Sequence, residues 1–356
     1  MACALLSVPL VACAAPPAEV GAGGAPAEAG APLGERHAQV LRPEDPLHQR
    51  LAVALRATPD GDLLSEELVP AGPFTEVLPS WNVTAGVPFS VDVRTRAGGD
   101  APWTPWLLIG DWGVPQRPTE VVTACDEATV SVDVLVANEP QARVQLRFRP
   151  EAGALLDASD VRASVIVSNL RELDARVTAA AAEPWPLPVQ LSVPARSQRG
   201  VGADISHRVC SPTSVAMVAA FHGQSVPTRE MAATIFDPHF DIYGNWNRAV
   251  QGAFVHGVPG ELVRLSSWNA VAEYLEAGQP LVVSIRAEEG QLRGAPYQRT
   301  AGHLLVLTGL GPAGVVHVND PAAAWPGVVP RRYMRADMEE VWMRRGGVAY
   351  ALEATR

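Results

Sequence analysis

Between residues 66 and 190 apolar and polar side chains alternate with a period of two, the pattern of strands buried on one face. In ARVQLRFRP, Val144, Leu146 and Phe148 fall on one side, and Arg143, Gln145, Arg147 and Arg149 on the other. Phe89, Val91 and Val93 repeat the scheme, as do Val130, Val132 and Val134, and then Val161, Ala163, Val165 and Val167, with turn residues between the runs. The pattern predicts an antiparallel all-β sandwich domain over residues 66–183. Upstream, HQRLAVALRA has a brief helical look and closes a 16–65 segment that is otherwise a tether rich in Ala, Pro, Gly and Glu. Downstream, four prolines between positions 184 and 194 predict a stiff connection, and residues 190–356 mix helical and strand periods as an α+β domain.

Length agrees with two domains, since 356 residues exceed what one compact core ordinarily holds. A net charge of -10, from 28 basic and 38 acidic residues, argues against nucleic acid as a partner and against a basic membrane-binding face. Cysteine is confined to Cys3, Cys13, Cys125 and Cys210, whose spacings fit neither a disulfide framework nor a zinc site. The opening MACALLSVPLVACAAPP is too short to span a bilayer and suits a signal peptide over residues 1–15. Leu10 to Cys13 resembles a bacterial lipobox, in which Cys13 would be lipidated. Ordinary cleavage near Ala14 is the other reading, because no Lys or Arg precedes the apolar run. Both readings predict export, as a lipid-anchored or a secreted or periplasmic protein, with the membrane reached only through the lipid. They leave Cys125 and Cys210 in the mature chain, where they could pair with each other or act singly.

Two segments of the second domain carry candidate chemistry. In RVCSPTSVAMVAAFHG the early Pro212 and the late Gly223 bound a helix and set Cys210 at its N-terminus. A free thiol is only about 3% ionised at pH 7, and a helix N-terminus or a neighbouring imidazolium raises that fraction. A small buried hydrophobe is the alternative role for such a Cys. In AGHLLVLTGLGPAGVVHVNDPA two β-branched runs flank a Gly/Pro turn, which predicts a hairpin. The midpoint between His303 and Asp320 falls between Gly311 and Pro312, so the spacing predicts that the two residues face each other across the strands. A carboxylate on one ring nitrogen orients the imidazole and stabilises the cation formed when the other nitrogen takes a thiol proton. It would serve equally as a structural hydrogen bond at a sheet end.

A helix opened by Cys210, Ser211, Pro212, Thr213 and Ser214, a strand opened by Gly302 and His303, and a strand closed by Asn319, Asp320, Pro321 and Ala322 resemble the papain-like peptidases of cysteine peptidase family thirty-nine. The resemblance covers residues from about 190 to 352, and the chain is identified as a stand-alone, transporter-free member. It implies Cys210 as nucleophile, His303 as base, Asp320 as orienting carboxylate and Gln198 as oxyanion donor together with the Cys210 backbone N–H. It implies a peptide or protein substrate and no metal or organic cofactor. Ser211 stands where many members carry Gly, at the mouth of the pocket. Tyr243, Asn245 and Trp246 in DIYGNWNRAVQGAFVHG resemble the family's substrate-side loop. The family's double-glycine cleavage in bacteriocin leaders belongs to transporter-fused, cytoplasmic domains and is not carried over to an exported chain.

Trp81, Trp103, Trp106 and Trp112 in the first domain would fill its core or offer stacking faces to a carbohydrate or cell-wall ligand. The stretch TPWLLIGDWG resembles sandwich modules that precede some bacterial peptidase domains. His222, His239, His256 and His317 have no metal-ligand spacing, and SSWNAVAEYLEAGQP reads as a packing helix with Trp268, Val271 and Leu275 inward. Two rival readings stand beside a peptidase: an amidase or transpeptidase on cell-wall peptides, and a binding lipoprotein whose papain-like domain is inert.

Overall fold

The computed structural model describes residues 47–84, 86–114 and 121–354. The proposed signal peptide, Cys13 and most of the tether lie outside the described residues.

Among the described residues ten strands build the sandwich: β1 (His48–Val53), β2 (Leu55–Ala57), β3 (Leu63–Ser65), β4 (Phe74–Val83), β5 (Phe89–Arg96), β6 (Leu107–Trp112), β7 (Ala128–Ser131), β8 (Val134–Gln141), β9 (Arg143–Pro150) and β10 (Val161–Ser168). They pair antiparallel in two sheets, ordered β1-β10-β4-β8-β7 and β2-β3-β9-β5-β6. The alternation in the sequence is realised: Val144, Leu146 and Phe148 of β9 and Phe89, Val91 and Val93 of β5 are all buried between the sheets. Trp81 sits at their centre, edge-on to Phe89 at 6.3 Å and to Phe148 at 6.0 Å. Gly110 of β6 is required there, because a Cβ at that position would lie 2.6 Å from the Trp81 ring.

Two strand expectations are corrected. HQRLAVALRA forms β1 and β2, so the sandwich begins before residue 66; β1 lies along β10 as an edge strand, and its pairing overrides a weak local helical pattern. The run through Val130, Val132 and Val134 is broken by a two-residue hairpin turn at Val132 and Asp133, closed by the pairing of Ser131 with Val134. Val132 adopts φ 60°, a conformation that strains a β-branched residue. The tryptophans also divide. Trp81 is core, whereas Trp103 and Trp106 lie on the outer face with the Arg94 guanidinium 4.7 and 4.4 Å from their ring centroids.

The second domain opens with α1 (Leu173–Ala181) and β11 (Val189–Gln190), followed by α2 (Cys210–Phe221), α3 (Thr228–Ile235), α4 (Trp246–Val255), β12 (Gly260–Arg264), α5 (Trp268–Glu276) and β13 (Leu281–Ala287). It continues through β14 (Thr300–Leu310), β15 (Val315–Asn319), β16 (Pro330–Met334), α6 (Arg335–Val341) and β17 (Val348–Leu352). One antiparallel sheet runs β12-β17-β13-β14-β15-β16, with β11 added to β14. The proline-rich connection is therefore tied into this sheet, and Trp185 within it donates its indole N–H to the Gly311 carbonyl at 2.8 Å. Helix α2 is buried along most of its length against the sheet.

The sandwich and the α+β domain share a mixed interface, in which Leu78 of β4 and Ile166 of β10 join the apolar core of the second domain. On β4 and β10 the face turned away from the sandwich core carries Ser80, Asn82 and Ser164, all buried. Ser80 accepts the Leu262 N–H at 3.1 Å, Asn82 accepts the Gly260 N–H at 3.0 Å, and Ser164 donates to Glu261 at 3.1 Å. From α4, the Gln251 amide brackets Val83, accepting its N–H at 2.8 Å and donating to its carbonyl at 3.0 Å. Arg248 donates to the Asp111 carboxylate at 3.2 Å. The strained hairpin sets Asp133 at the start of α4, where its carboxylate accepts the Trp246 N–H at 2.6 Å.

Burial, reinforced by the charge of Asp237, raises the Asp133 carboxyl from 3.8 to about 7, against the Trp246 hydrogen bond and Arg264, which lower it. The folded state thus holds a proton that the unfolded chain releases, and this site's stabilising contribution falls as pH rises from about 4 to 7. Asp133→Asn keeps the hydrogen-bond acceptor and removes the titration. The unfolding midpoint of the variant, measured by calorimetry, is expected to gain on wild type from about pH 4 to pH 7 and to level off above that, where both states are ionised; a difference independent of pH would contradict this.

Candidate active site

Cys210 is the first residue of α2, as the sequence predicts, and Gly223 ends that helix one residue past its C-cap with φ 89°. Thr213 returns its hydroxyl to the Val209 carbonyl at 2.6 Å, and Ser214 donates to the Leu304 carbonyl at 3.1 Å. That second bond ties the start of α2 to the residue after His303 on β14. Cys210, a partly exposed residue, lies close enough to His303 for the imidazolium to act on its thiol. Cys125 and Cys210 are both free, so the disulfide alternative does not hold.

His303 Nε2 meets Asp320 Oδ1 at 2.8 Å, so Nδ1 is the ring nitrogen left to exchange a proton with a thiol. The pair forms, but not as directly opposed residues. The turn centres on Ala313, where residues 312–314 form the loop and Gly311 N–H reaches the Val315 carbonyl at 2.7 Å. A bulge between Leu307 and Gly309 then sets Val306 opposite Asn319, so the ladder runs a few residues out of the expected register. Asp320 lies just beyond the end of β15, its N–H held by the Val329 carbonyl at 2.9 Å, and its side chain reaches back to the imidazole.

Asp320 is fully buried and all its contacts are donors. Oδ1 accepts from His303 and from the Ala322 N–H at 3.0 Å; Oδ2 accepts from Tyr333 at 2.7 Å and from Tyr297 at 3.2 Å. Tyr297 also stands edge-on to the His303 ring at 5.0 Å. Neither tyrosine is marked by spacing in the sequence. Each reaches the carboxylate from a separate segment, and only the folded sheet brings them together.

The electrostatics follow. Burial pushes the Asp320 carboxyl up, but the His303 cation and these hydrogen bonds outweigh it and hold the carboxyl below its ordinary range. Burial alone would lower His303; the Asp320 carboxylate and the Cys210 sulfur reverse this and raise it to about 10. For Cys210 burial again acts upward, and the His303 charge and hydrogen bond, with the Leu304 and Ser211 backbone N–H groups, bring the thiol below its usual value. Burial raises both tyrosines, reinforced by the Asp320 charge, so they stay protonated donors.

Gln198 is buried in a single 3-10 turn, its N–H bonded to the Pro321 carbonyl at 2.9 Å and its side-chain amide donating to the Ser206 carbonyl at 2.8 Å. Two substrate-side expectations are corrected. The Ser211 side chain is fully buried and lies 3.4 Å from the Tyr350 hydroxyl, because one step along α2 turns it toward the sheet and away from the pocket mouth. Asn245 caps α4, accepting the Arg248 N–H at 3.2 Å and donating to Asp237 at 2.8 Å, so its polar atoms serve the helix. Trp246 packs against the core and keeps part of its surface exposed. Tyr243 lies between Phe236 and the Arg208 guanidinium, and Arg208 ion-pairs with Asp241 at 2.9 Å, which fastens this loop beside Cys210. His222 meets the Leu352 carbonyl at 3.0 Å and His256 meets the Thr234 hydroxyl at 2.9 Å.

Residues 190–350 match the model of the Peptidase C39 like family, and residues 30–167 match the model of the Peptidase C39 N-terminal domain. Among solved structures, the chain is similar to a double glycine motif protease from an AMS/PCAT transporter in complex with the leader peptide. That match has 16% identity, covers 47% of this chain and 98% of that one, and has a TM-score of 0.32. It is also similar to the peptidase domain of Streptococcus ComA, a bifunctional ABC transporter involved in a quorum sensing pathway, at 17% identity, 42% and 93% coverage and a TM-score of 0.32. No curated protein matches the sequence.

Iodoacetamide labelling read by mass spectrometry tests the electrostatics. At pH 7 Cys210 is expected to alkylate faster than Cys125, whose thiol is raised mainly by burial. His303→Ala is expected to move the Cys210 labelling midpoint above the ordinary thiol range, and Tyr333→Phe to move it the same way by less. Unchanged midpoints in both variants would refute the linked arrangement.

Proposed function

Because residues 190–350 belong to the Peptidase C39 like family and follow a Peptidase C39 N-terminal domain, we propose that the protein is a cysteine peptidase acting through a thioester on Cys210. The His303–Asp320 hydrogen bond at 2.8 Å, with Cys210 at the start of α2 within reach of the His303 charge, carries this reading. A pre-ionised sulfur beside an imidazolium is the resting form that thiol nucleophiles use.

The Cys210 thiolate attacks the carbonyl carbon of the substrate amide and forms a tetrahedral oxyanion. The Cys210 backbone N–H at the start of α2 and the Gln198 side-chain amide are the proposed donors to that oxygen. His303 then gives its proton to the leaving nitrogen as the C–N bond breaks, which leaves an acyl thioester and a free amine. Water adds next, His303 takes its proton, and the C–S bond breaks to release the acid and restore the thiolate. Asp320 keeps the imidazole oriented throughout and stabilises its cation. The loop bearing Tyr243 and Trp246, tied by the Arg208–Asp241 ion pair to the segment before Cys210, is proposed to contact the substrate. Export belongs to the same proposal and rests on the apolar opening of the chain.

Cleavage-site profiling on a peptide library, with purified cell wall digested in parallel, tests the reading. Cys210→Ala is expected to lower wild-type hydrolysis by at least about 10³-fold. The pH dependence of kcat/KM is expected to be bell-shaped, rising with ionisation of Cys210 at a pH below the ordinary thiol range. It should fall as His303 loses its proton near pH 10. Hydrolysis that survives in Cys210→Ala would reject the mechanism, and activity confined to cell wall would assign the bond to an amidase.

A further inference from the structure

A surface groove adjoins the carboxylate end of the site. It is lined by Arg199, Pro296, Ala322, Trp325 and Arg331 among others. Each is a near neighbour of a residue already described. Arg199 follows Gln198, Pro296 precedes Tyr297, and Ala322 donates its N–H to Asp320. Arg331 lies two residues before Tyr333 on β16. The groove is therefore built on the outer side of the shell that holds Asp320.

The direction of the chemistry decides which part of a substrate passes it. The leaving nitrogen must take a proton from His303, so the residues after the scissile bond depart on the His303–Asp320 side. The loop fastened by the Arg208–Asp241 ion pair is tied instead to the segment that leads into Cys210.

The groove's charge is opposite to that of the chain. Among the described residues no acidic side chain lines it, and neither Arg199 nor Arg331 is paired with a carboxylate. Both guanidiniums are held instead by backbone carbonyls: Arg199 Nε by Ala322 at 3.3 Å, and Arg331 Nη1 by Gly294 at 2.8 Å. Arg229, Arg293 and Arg335, by contrast, are each neutralised by an Asp or Glu. Trp325, 60% exposed, adds an apolar wall. We propose that this groove is a subsite for an acidic stretch of the substrate within the first few residues after the cleaved bond. The arginines would take its carboxylates and Trp325 the apolar part of its side chains. The inference rests on the peptidase reading and adds a substrate class to it.

Internally quenched peptides varied over the four positions after the cleaved bond are to be digested by wild type, Arg199→Glu and Arg199→Glu/Arg331→Glu, with Cys210→Ala as blank. Wild type is expected to favour Asp or Glu over Gln at one or more of these positions by at least about threefold at low salt. The preference should shrink as salt is added and turn toward Lys and Arg in the double variant. Arg199 is exposed, so its single variant carries the test if the double variant does not fold. Cleavage that depends on Cys210 but shows no acidic preference overturns the groove while leaving the peptidase reading intact. If no cleavage depends on Cys210, anisotropy of a labelled Glu-rich peptide and its Gln counterpart on Cys210→Ala decides. Tighter binding of the Glu peptide, weakened by Arg199→Glu, supports the groove as an acidic-peptide site, and equal binding overturns it.

Discussion

The chemistry proposed for this protein depends on one buried carboxylate remaining ionised. An unpaired charge at the depth of Asp320 would neutralise by taking a proton, and four donors on its two oxygens prevent that. The consequence propagates outward. A charged Asp320 favours a charged His303, and a charged His303 favours a thiolate at Cys210. Because each ionisation leans on the next, the three titrate as a coupled unit. The tyrosines do not touch the sulfur, yet they stand at the base of the sequence of effects that governs it.

A second constraint fixes the frame around this unit. Sheet β1-β10-β4-β8-β7 is covered on both faces, by the sandwich core on one side and by α4 and β12 on the other. The covered outer face joins Leu78 and Ile166 to the second domain's core, and its serines and Asn82, with Gln251 opposite, are matched by backbone and side-chain partners across the interface, which limits the desolvation cost of burying them. The strained turn at Val132 serves the same junction, since it delivers Asp133 to the first turn of α4. The sandwich thereby braces the helix that follows the substrate-side loop. This gives the first domain a mechanical part to play whatever else its outer face contacts.

Much of this was legible in the chain as written. Period-two alternation identified the inward residues of β5 and β9, because a sheet half buried on a core must segregate its side chains by face. Pro212 and Gly223 bounded α2 and set Cys210 at its start. The Gly/Pro turn announced the β14–β15 hairpin, and with it the meeting of His303 and Asp320. These are local signals, set by backbone sterics and by the burial pattern of consecutive residues.

Other features were decided only by tertiary structure. The hairpin register depended on a bulge and a left-handed Ala313, which no midpoint count contains. Ser211 and Asn245 carry polar side chains beside a reactive residue and a candidate loop, but the helix turn and the cap geometry direct them inward. Ser80, Asn82 and Ser164 alternate as solvent-facing residues would, yet a second domain covers them. Tyr297 and Tyr333 belong to the Asp320 shell through contacts across 23 and 13 positions of sequence. The sequence alone determined which residues could do the chemistry, through their types and their places in local elements. Which partners surround them, and so which protons they keep, depends on distances between remote segments, and only packing sets those.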